Sequence, residues 1–320
     1  MYQRFLLFLI IGCFFELSAQ GAKLLCEDHL DDFGQYNSEE FGFSGVLPKS
    51  FSLEKWVPPV ADQGDTSTCV GFAAAYYSLS TIYNREFNYY SSKDKLAHAF
   101  DPHFIYSLIN NYVDYDCDEG LYMDDAVEKL QYIGAKKRWF YPYTRCNTDW
   151  STEMQKRVRN YTLPYKIKNY GFINPYQIDK FKEGIVLGLP ITAMFRLTES
   201  FNSVKAKSIE LNFISENGLW SPNENENFLG YHAMTVVGYN DYIFGGAFRI
   251  VNSWGDDFAD NGFVWITYSD FQKFCEQAFV FSVDFTENIK NRENYERYKV
   301  DTGIYEGEYF SDGLNGYGVW

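Results

Sequence analysis

No stretch of this sequence is long and apolar enough to cross a bilayer. The apolar run Phe5–Phe15 sits at the amino terminus, and no later segment approaches the ~20 residues that a membrane helix needs. Basic charge is also scarce. Against 43 Asp+Glu the chain has 28 Lys+Arg, a formal net charge of −15, and no Lys/Arg cluster offers a surface that could track phosphates. Nucleic acid is therefore not an expected partner. Stable membrane insertion is not expected either, since an acidic surface repels anionic bilayers. Histidine is rare, with only 4 in the chain, and His29, His98 and His103 match no motif. These three read as surface or packing residues, and no metal or cofactor is expected.

What is present is enough apolar material for a large core. At 320 residues and 46% hydrophobic content, the chain can form one domain of more than ~200 residues with extras. Residues 1–19 read as a signal peptide: Arg4 supplies the positive start, Phe5–Phe15 the apolar core and Leu17-Ser18-Ala19 a small-residue cleavage site. A lipid-attachment reading at Cys13 is disfavoured because the apolar run continues past it. The expected location is therefore secreted: extracellular or periplasmic, or a lysosome-like compartment. Of 6 cysteines, Cys13 leaves with the signal. The remaining odd number leaves one thiol unpaired in an oxidising compartment. Residues 20–46 form a short acidic leader, read either as a short pro-segment or as a disordered stretch without a regulatory role.

The chain is organised around Asp62-Gln63-Gly64-Asp65-Thr66-Ser67-Thr68-Cys69-Val70-Gly71-Phe72-Ala73-Ala74-Ala75-Tyr76-Tyr77. A polar loop leads to a cysteine, where a helix begins. Ala73 to Ala75 favour helix, and Phe72, Tyr76, Leu79 and Tyr83 recur as an apolar stripe. Ser67 and Thr68 are suitable N-caps, which puts Cys69 in the first turn. Unpaired N–H groups and the helix dipole there predict a lowered thiol pKa and a reactive sulfur. The plainer alternative is a structural cysteine that starts a core helix.

Downstream, Tyr231-His232-Ala233-Met234-Thr235-Val236-Val237 sets a histidine at the mouth of an apolar, strand-like run. Phe248-Arg249-Ile250-Val251-Asn252-Ser253-Trp254-Gly255 follows. With these residues the sequence resembles the papain-like cysteine peptidases, whose Cys, His and Asn lie far apart in that order and meet in the fold. The resemblance implies Cys69 as nucleophile, His232 as general acid/base, Asn252 as the residue orienting the imidazole, and Gln63 as oxyanion donor. It implies that Cys117-Asp118-Glu119-Gly120 forms an edge of the substrate cleft, with Gly120, Glu119, Tyr231 and Trp254 contacting substrate. It also favours a Cys117–Cys146 disulfide, leaving Cys26 and Cys275 as the other pair. The departures are real ones. Thr66-Ser67-Thr68-Cys69-Val70 lacks the family's upstream cysteine and its following tryptophan, and His232 lies 163 residues after Cys69, beyond the usual ~130–150.

The implied fold is α+β: a papain-like two-subdomain domain over 47–285, with a helical half carrying the cysteine and an antiparallel β-sheet half carrying the histidine and asparagine. The sequence texture agrees, since helical spacing dominates early, whereas Pro190–Leu197, Ala233–Tyr239, Phe248–Val251 and Gly262–Tyr268 read as strands. Residues 286–302 read as a charged linker. Residues 303–320 resemble one MORN repeat, a short C-terminal β-hairpin unit and a candidate protein-binding surface. The expected activity is hydrolysis of a peptide or protein substrate as an endopeptidase. The alternatives are a non-catalytic peptide binder of the same fold and an acyl-transferring ligase or amidase.

Overall fold

Strands and helices segregate into two halves of the molecule. The computed structural model describes residues 21–25, 30, 33–110, 114, 116–138, 164–204 and 218–302, with backbone alone from 295. The signal-like segment, Cys26, Cys146 and the MORN-like stretch lie outside the described residues. The strands are β1 (Ala22–Lys23), β2 (Ser50–Ser52), β3 (Leu121–Tyr122), β4 (Ile167–Phe172), β5 (Ile191–Thr198), β6 (Leu219–Trp220), β7 (Phe228–Asn240), β8 (Ala247–Val251), β9 (Phe263–Thr267) and β10 (Cys275–Val283). Eight form one sheet in the order β4-β10-β5-β7-β8-β9-β6, with β2 also pairing to β7. All pairings in it are antiparallel except β6 with β9.

Burial follows position in the sheet. Central β5 and β8 are almost wholly buried on both faces, whereas β9 alternates between buried and half-buried. The 13-residue β7 is the spine. Its first half pairs with β5, including Phe195 opposite His232, and its second half pairs with β8 and β2.

The helical half is organised on α1, which runs through 69–86 as an α-turn (Cys69–Gly71), a wider π-helical stretch (Phe72–Leu79) and an α-helix (Ser80–Glu86). The sequence predicts one apolar stripe, yet every residue from Cys69 to Asn84 is buried. The reason is position: a helix between two layers is covered all round. Val70, Ala73 and Leu79 belong to the core of the helical half, whereas Phe72, Tyr76 and Tyr77 belong to the core under the sheet. Thr235 Oγ1 donates to the Ala73 carbonyl at 3.0 Å, fastening β7 to α1. Gly71 permits one close approach, because a Cβ there would lie 2.3 Å from the Pro102 carbonyl oxygen.

The remaining helices are α2 (Ser92–Ala97), α3 (Pro102–Ile109), α4 (Met123–Tyr132), α5 (Ile178–Leu187), α6 (Tyr268–Phe274) and α7 (Glu287–Thr302). Helix α3 starts as its sequence dictates, with Pro102 in the first turn and the Asp101 carboxylate accepting from the His103 N–H.

The stretch expected to be a linker is instead α7, and it is docked. Glu293 is fully buried, with Lys137 Nζ 3.1 Å from Oε1 and the Tyr89 hydroxyl donating to Oε2 at 3.0 Å. His98 stacks on Tyr89 at 4.0 Å with its Nδ1 3.4 Å from the same carboxylate, so it packs rather than catalyses. Burial works to raise Glu293, but Lys137 and His98 outweigh it and hold its carboxyl down at about 2.

The leader is ordered over its described residues. Gly34 and Tyr36 exchange backbone hydrogen bonds with Phe172 on β4, and the Phe33 ring meets Phe279 edge-on at 5.5 Å. Cys275 carries a free, buried thiol, so the expected Cys26–Cys275 pair does not form. Cys117 is not among the free thiols, and its expected partner Cys146 lies outside the described residues.

Candidate active site

Cys69 opens α1 as expected, but not through the expected cap. The Thr68 side chain makes no capping bond and pairs with Thr66 Oγ1 at 2.7 Å instead. The Ala233 N–H, next in the chain to His232, donates to the Cys69 sulfur at 3.4 Å. That bond brings the histidine's strand onto the nucleophile's helix. The predicted low thiol pKa is not observed. Cys69 is fully buried, and burial pushes the thiol up to about 12 against N–H groups of Ala233, Val70 and Cys69 that pull it down.

The leader packs beside the nucleophile loop. Gly21 passes so close to the nucleophile loop that a Cβ on it would lie 2.4 Å from Ser67 Cα. On the other side, a Cβ on Gly120 would lie 2.4 Å from the Gly21 carbonyl oxygen, which accepts from the Leu121 N–H at 2.9 Å. Strand β1 then pairs in parallel with β3, Ala22 opposite Leu121, and touches β7. Ala22 packs in the same apolar cluster as Cys69. The segment 21–23 is thus a strap across the nucleophile loop, wedged between Ser67 and the Gly120–Leu121 edge.

His232 is fully buried in the first half of β7. Its Nε2 lies 2.7 Å from Asn252 Oδ1. The same oxygen accepts from the Ser253 backbone N–H at 2.8 Å, which fixes the amide, since a flipped Asn252 would set two donors against each other. Nε2 must then donate, and in the neutral ring Nδ1 is the basic nitrogen. Asn252 itself is held by its N–H to the Gly262 carbonyl at 2.9 Å and by its carbonyl, which accepts from the Tyr77 hydroxyl at 2.9 Å.

Trp254 covers this pair, its ring 5.2 Å from the imidazole, and Phe201 packs on Trp254 at 5.0 Å. Such a cover keeps water off the Asn252–His232 bond and strengthens it.

Gln63 is buried beside this group. Its N–H donates to the Ser253 carbonyl at 2.8 Å, and its Oε1 accepts from Ser253 Oγ at 2.6 Å. Its Nε2 donates one hydrogen to the Thr66 carbonyl at 2.6 Å, leaving the amide's other hydrogen as a donor. Ser253 therefore couples the asparagine to the glutamine. Ser253 and Phe201 are functional neighbours that no motif announces. Ser253 carried a usable signal, as a polar side chain between two functional residues at a strand end. Phe201 carried none, since it lies in a short turn after β5, 31 residues before His232 in the chain.

The expected substrate-contacting residues divide. Gly120 is buried against the strap in a left-handed conformation, φ 71°. Tyr231 borders the same cluster and meets Phe228 ring to ring at 5.0 Å. Trp254 covers the histidine, and the Glu119 side chain is exposed. Among the described residues, no cluster of three or more His, Cys, Asp or Glu could hold a metal ion, and no helix is long and apolar enough to cross a membrane.

Three comparisons bear on this geometry. Residues 47–282 match the sequence model of the papain family cysteine proteases. Among solved structures, xylellain, a cysteine protease from Xylella fastidiosa, aligns with a TM-score of 0.61 at 22% identity, covering 83% of this chain and 97% of its own. Digestive procathepsin L2 proteinase from Tenebrio molitor larval midgut aligns with a TM-score of 0.61 at 18% identity, covering 84% of this chain and 80% of its own. Bromelain protease from Ananas comosus, in complex with the E64 inhibitor, aligns with a TM-score of 0.55 at 16% identity, covering 74% of this chain and 100% of its own. Curated proteins gave no match.

Proposed function

Because the chain belongs to the papain family of cysteine proteases, we propose that it is a secreted endopeptidase held latent by its own leader. The observation that carries this reading is the meeting of three distant segments. Ala233 bonds the Cys69 sulfur, His232 bonds Asn252, and Ser253 bonds Gln63. No structural need of a sheet–helix seam calls for that set of side chains.

In the proposed reaction, the Cys69 thiol gives its proton to His232 Nδ1, and the thiolate adds to a peptide carbonyl carbon. The Gln63 amide hydrogen and the Cys69 N–H receive the oxyanion. His232 returns the proton to the departing amine as the C–N bond breaks, and water then hydrolyses the thioester by the reverse proton path. Asn252 keeps Nε2 protonated throughout, so only Nδ1 exchanges protons.

Latency follows from burial. A thiol held near 12 supplies almost no thiolate at neutral pH. Removing the strap would return water to the sulfur and let His232 and the helix terminus act on it. The test is hydrolysis of a fluorogenic peptide before and after limited proteolysis of the leader. Activity that rises on leader loss and is absent from Cys69→Ala supports the proposal. A leader-free protein that binds peptides without cleaving them rejects it in favour of a binding module. Products capped by an added amine would indicate acyl transfer instead.

A further inference from the structure

Resting on the peptidase reading, we propose that Tyr106 and Asp114 are positioning residues that hold the Gly120–Leu121 edge in register to receive a peptide backbone. The edge is a short strand at the end of a loop. Two of its residues, Cys117 and Gly120, have positive φ values of 54° and 71°. A loop with two left-handed residues does not keep its shape without support.

The support comes from one carboxylate and one phenol. Asp114 Oδ2 accepts from the Tyr106 hydroxyl, from Asn110 Nδ2 at 3.3 Å and from the Glu119 N–H at 3.2 Å, and Oδ1 accepts from the Asp118 N–H at 3.4 Å. The Tyr106 hydroxyl accepts in turn from the Gly120 N–H at 3.1 Å. Burial works to raise Asp114, but these donors outweigh it and hold the carboxyl below its ordinary range, so it is a charged acceptor at neutral pH.

This arrangement decides which backbone group meets a peptide. The Gly120 N–H turns inward to Tyr106, whereas the next one, Leu121, points out and donates to the Gly21 carbonyl of the strap. An incoming substrate that replaces the strap meets the same Leu121 donor and the same bare Gly120 surface. The bracket also reaches the nucleophile loop, because the Cys117 carbonyl accepts from the Ser67 N–H at 2.6 Å. Tyr106 is anchored in α3 and almost fully buried, so its hydroxyl is a fixed point rather than a mobile contact.

The test uses Tyr106→Phe, with Asp114→Asn as a second variant that keeps an oxygen able to accept from Tyr106. In the full-length chain, amide hydrogen exchange should accelerate about tenfold at Gly120 and Leu121 in Tyr106→Phe, with Cys69 to Gly71 unchanged. In leader-free enzyme, KM for a peptide of four or more residues should rise about tenfold with kcat within about twofold, the signature of lost backbone binding. Asp114→Asn should shift both readouts in the same direction by less. Unchanged exchange at Gly120 and Leu121 overturns the proposal even if the wild type hydrolyses peptides. A fall in kcat at constant KM also overturns it, since that would place the bracket's effect on the chemistry. If the wild type is inert on every peptide, the peptidase reading fails, and the exchange measurement still decides the bracket.

Discussion

Gly21 is the residue on which the proposed latency turns, and Gly21→Ala should open the site. At Gly21 φ is 92°, and an added Cβ would sit 2.4–2.5 Å from the Cα, C and O atoms of Ser67, all backbone and unable to rotate away. A left-handed conformation costs an L-residue about 1–2 kcal/mol. Relieving the overlap forces the strap outward and breaks the Leu121–Gly21 hydrogen bond, net worth about 1 kcal/mol. Together these weaken the closed arrangement by about 2–3 kcal/mol, an increase of about 30- to 150-fold in the open population. The assay is the rate at which Cys69 reacts with iodoacetamide at pH 7.5 in full-length protein, followed by intact mass. A buried thiol reacts only through opening, so the rate should rise by about that factor in Gly21→Ala. Wild-type and variant rates within about threefold would show that the strap does not guard the sulfur, and the latency argument would fall.

Two further predictions follow from contacts remote from the sulfur. Ser253→Ala removes the hydroxyl that fixes Gln63 Oε1. It should lower kcat of the leader-free enzyme about tenfold or more while leaving KM within about twofold, as expected when an oxyanion donor loses its aim; steady-state kinetics on a peptide substrate checks it. Glu293→Ala leaves Lys137 buried without its carboxylate and should destabilise the protein by about 3–5 kcal/mol in urea titrations at pH 7. Glu293 also sets an acid limit. Its folded pKa is depressed to about 2, so its contribution is present above the unfolded value of about 4.3 and is lost as pH falls from there toward about 2. The variant should therefore show a flatter stability curve across that window.

What the sequence made legible is the chemistry that depends on residue identity. Gln63, Cys69, His232 and Asn252 stand out through separated motifs that resemble one family in the right order, since the stretch around Cys69 by itself fits a structural cysteine equally well, and the fold brings their segments together. The strands from Pro190 onward were legible because alternation and β-branching report burial directly. The thiol's pKa was not, since helix position argues for a low value whereas burial that only the tertiary fold supplies raises it. Helix α7 reads as a linker because its charged, weakly amphipathic sequence advertises no buried face. One carboxylate, Glu293, meets a cation and a phenol that only the tertiary fold supplies. The Thr68 cap failed for a similar reason, because Thr66 captured its hydroxyl before the helix could. Strands β4 and β10 are less legible because Lys168 and Asn169 interrupt the first and Glu276 and Gln277 the second, so neither reads as a continuous apolar run.

The central claim is that Cys69 is a nucleophile activated by His232 once the strap is displaced. The most direct measurement is covalent labelling of reduced, leader-free protein with an epoxysuccinyl peptide at neutral pH, read by intact mass and peptide mapping. The account predicts one adduct per chain on Cys69, little on the full-length protein, and none on His232→Ala or Cys69→Ala. A leader-free protein that takes no adduct while Cys69 reacts readily with a small maleimide would contradict it, because the sulfur would then be exposed but not activated.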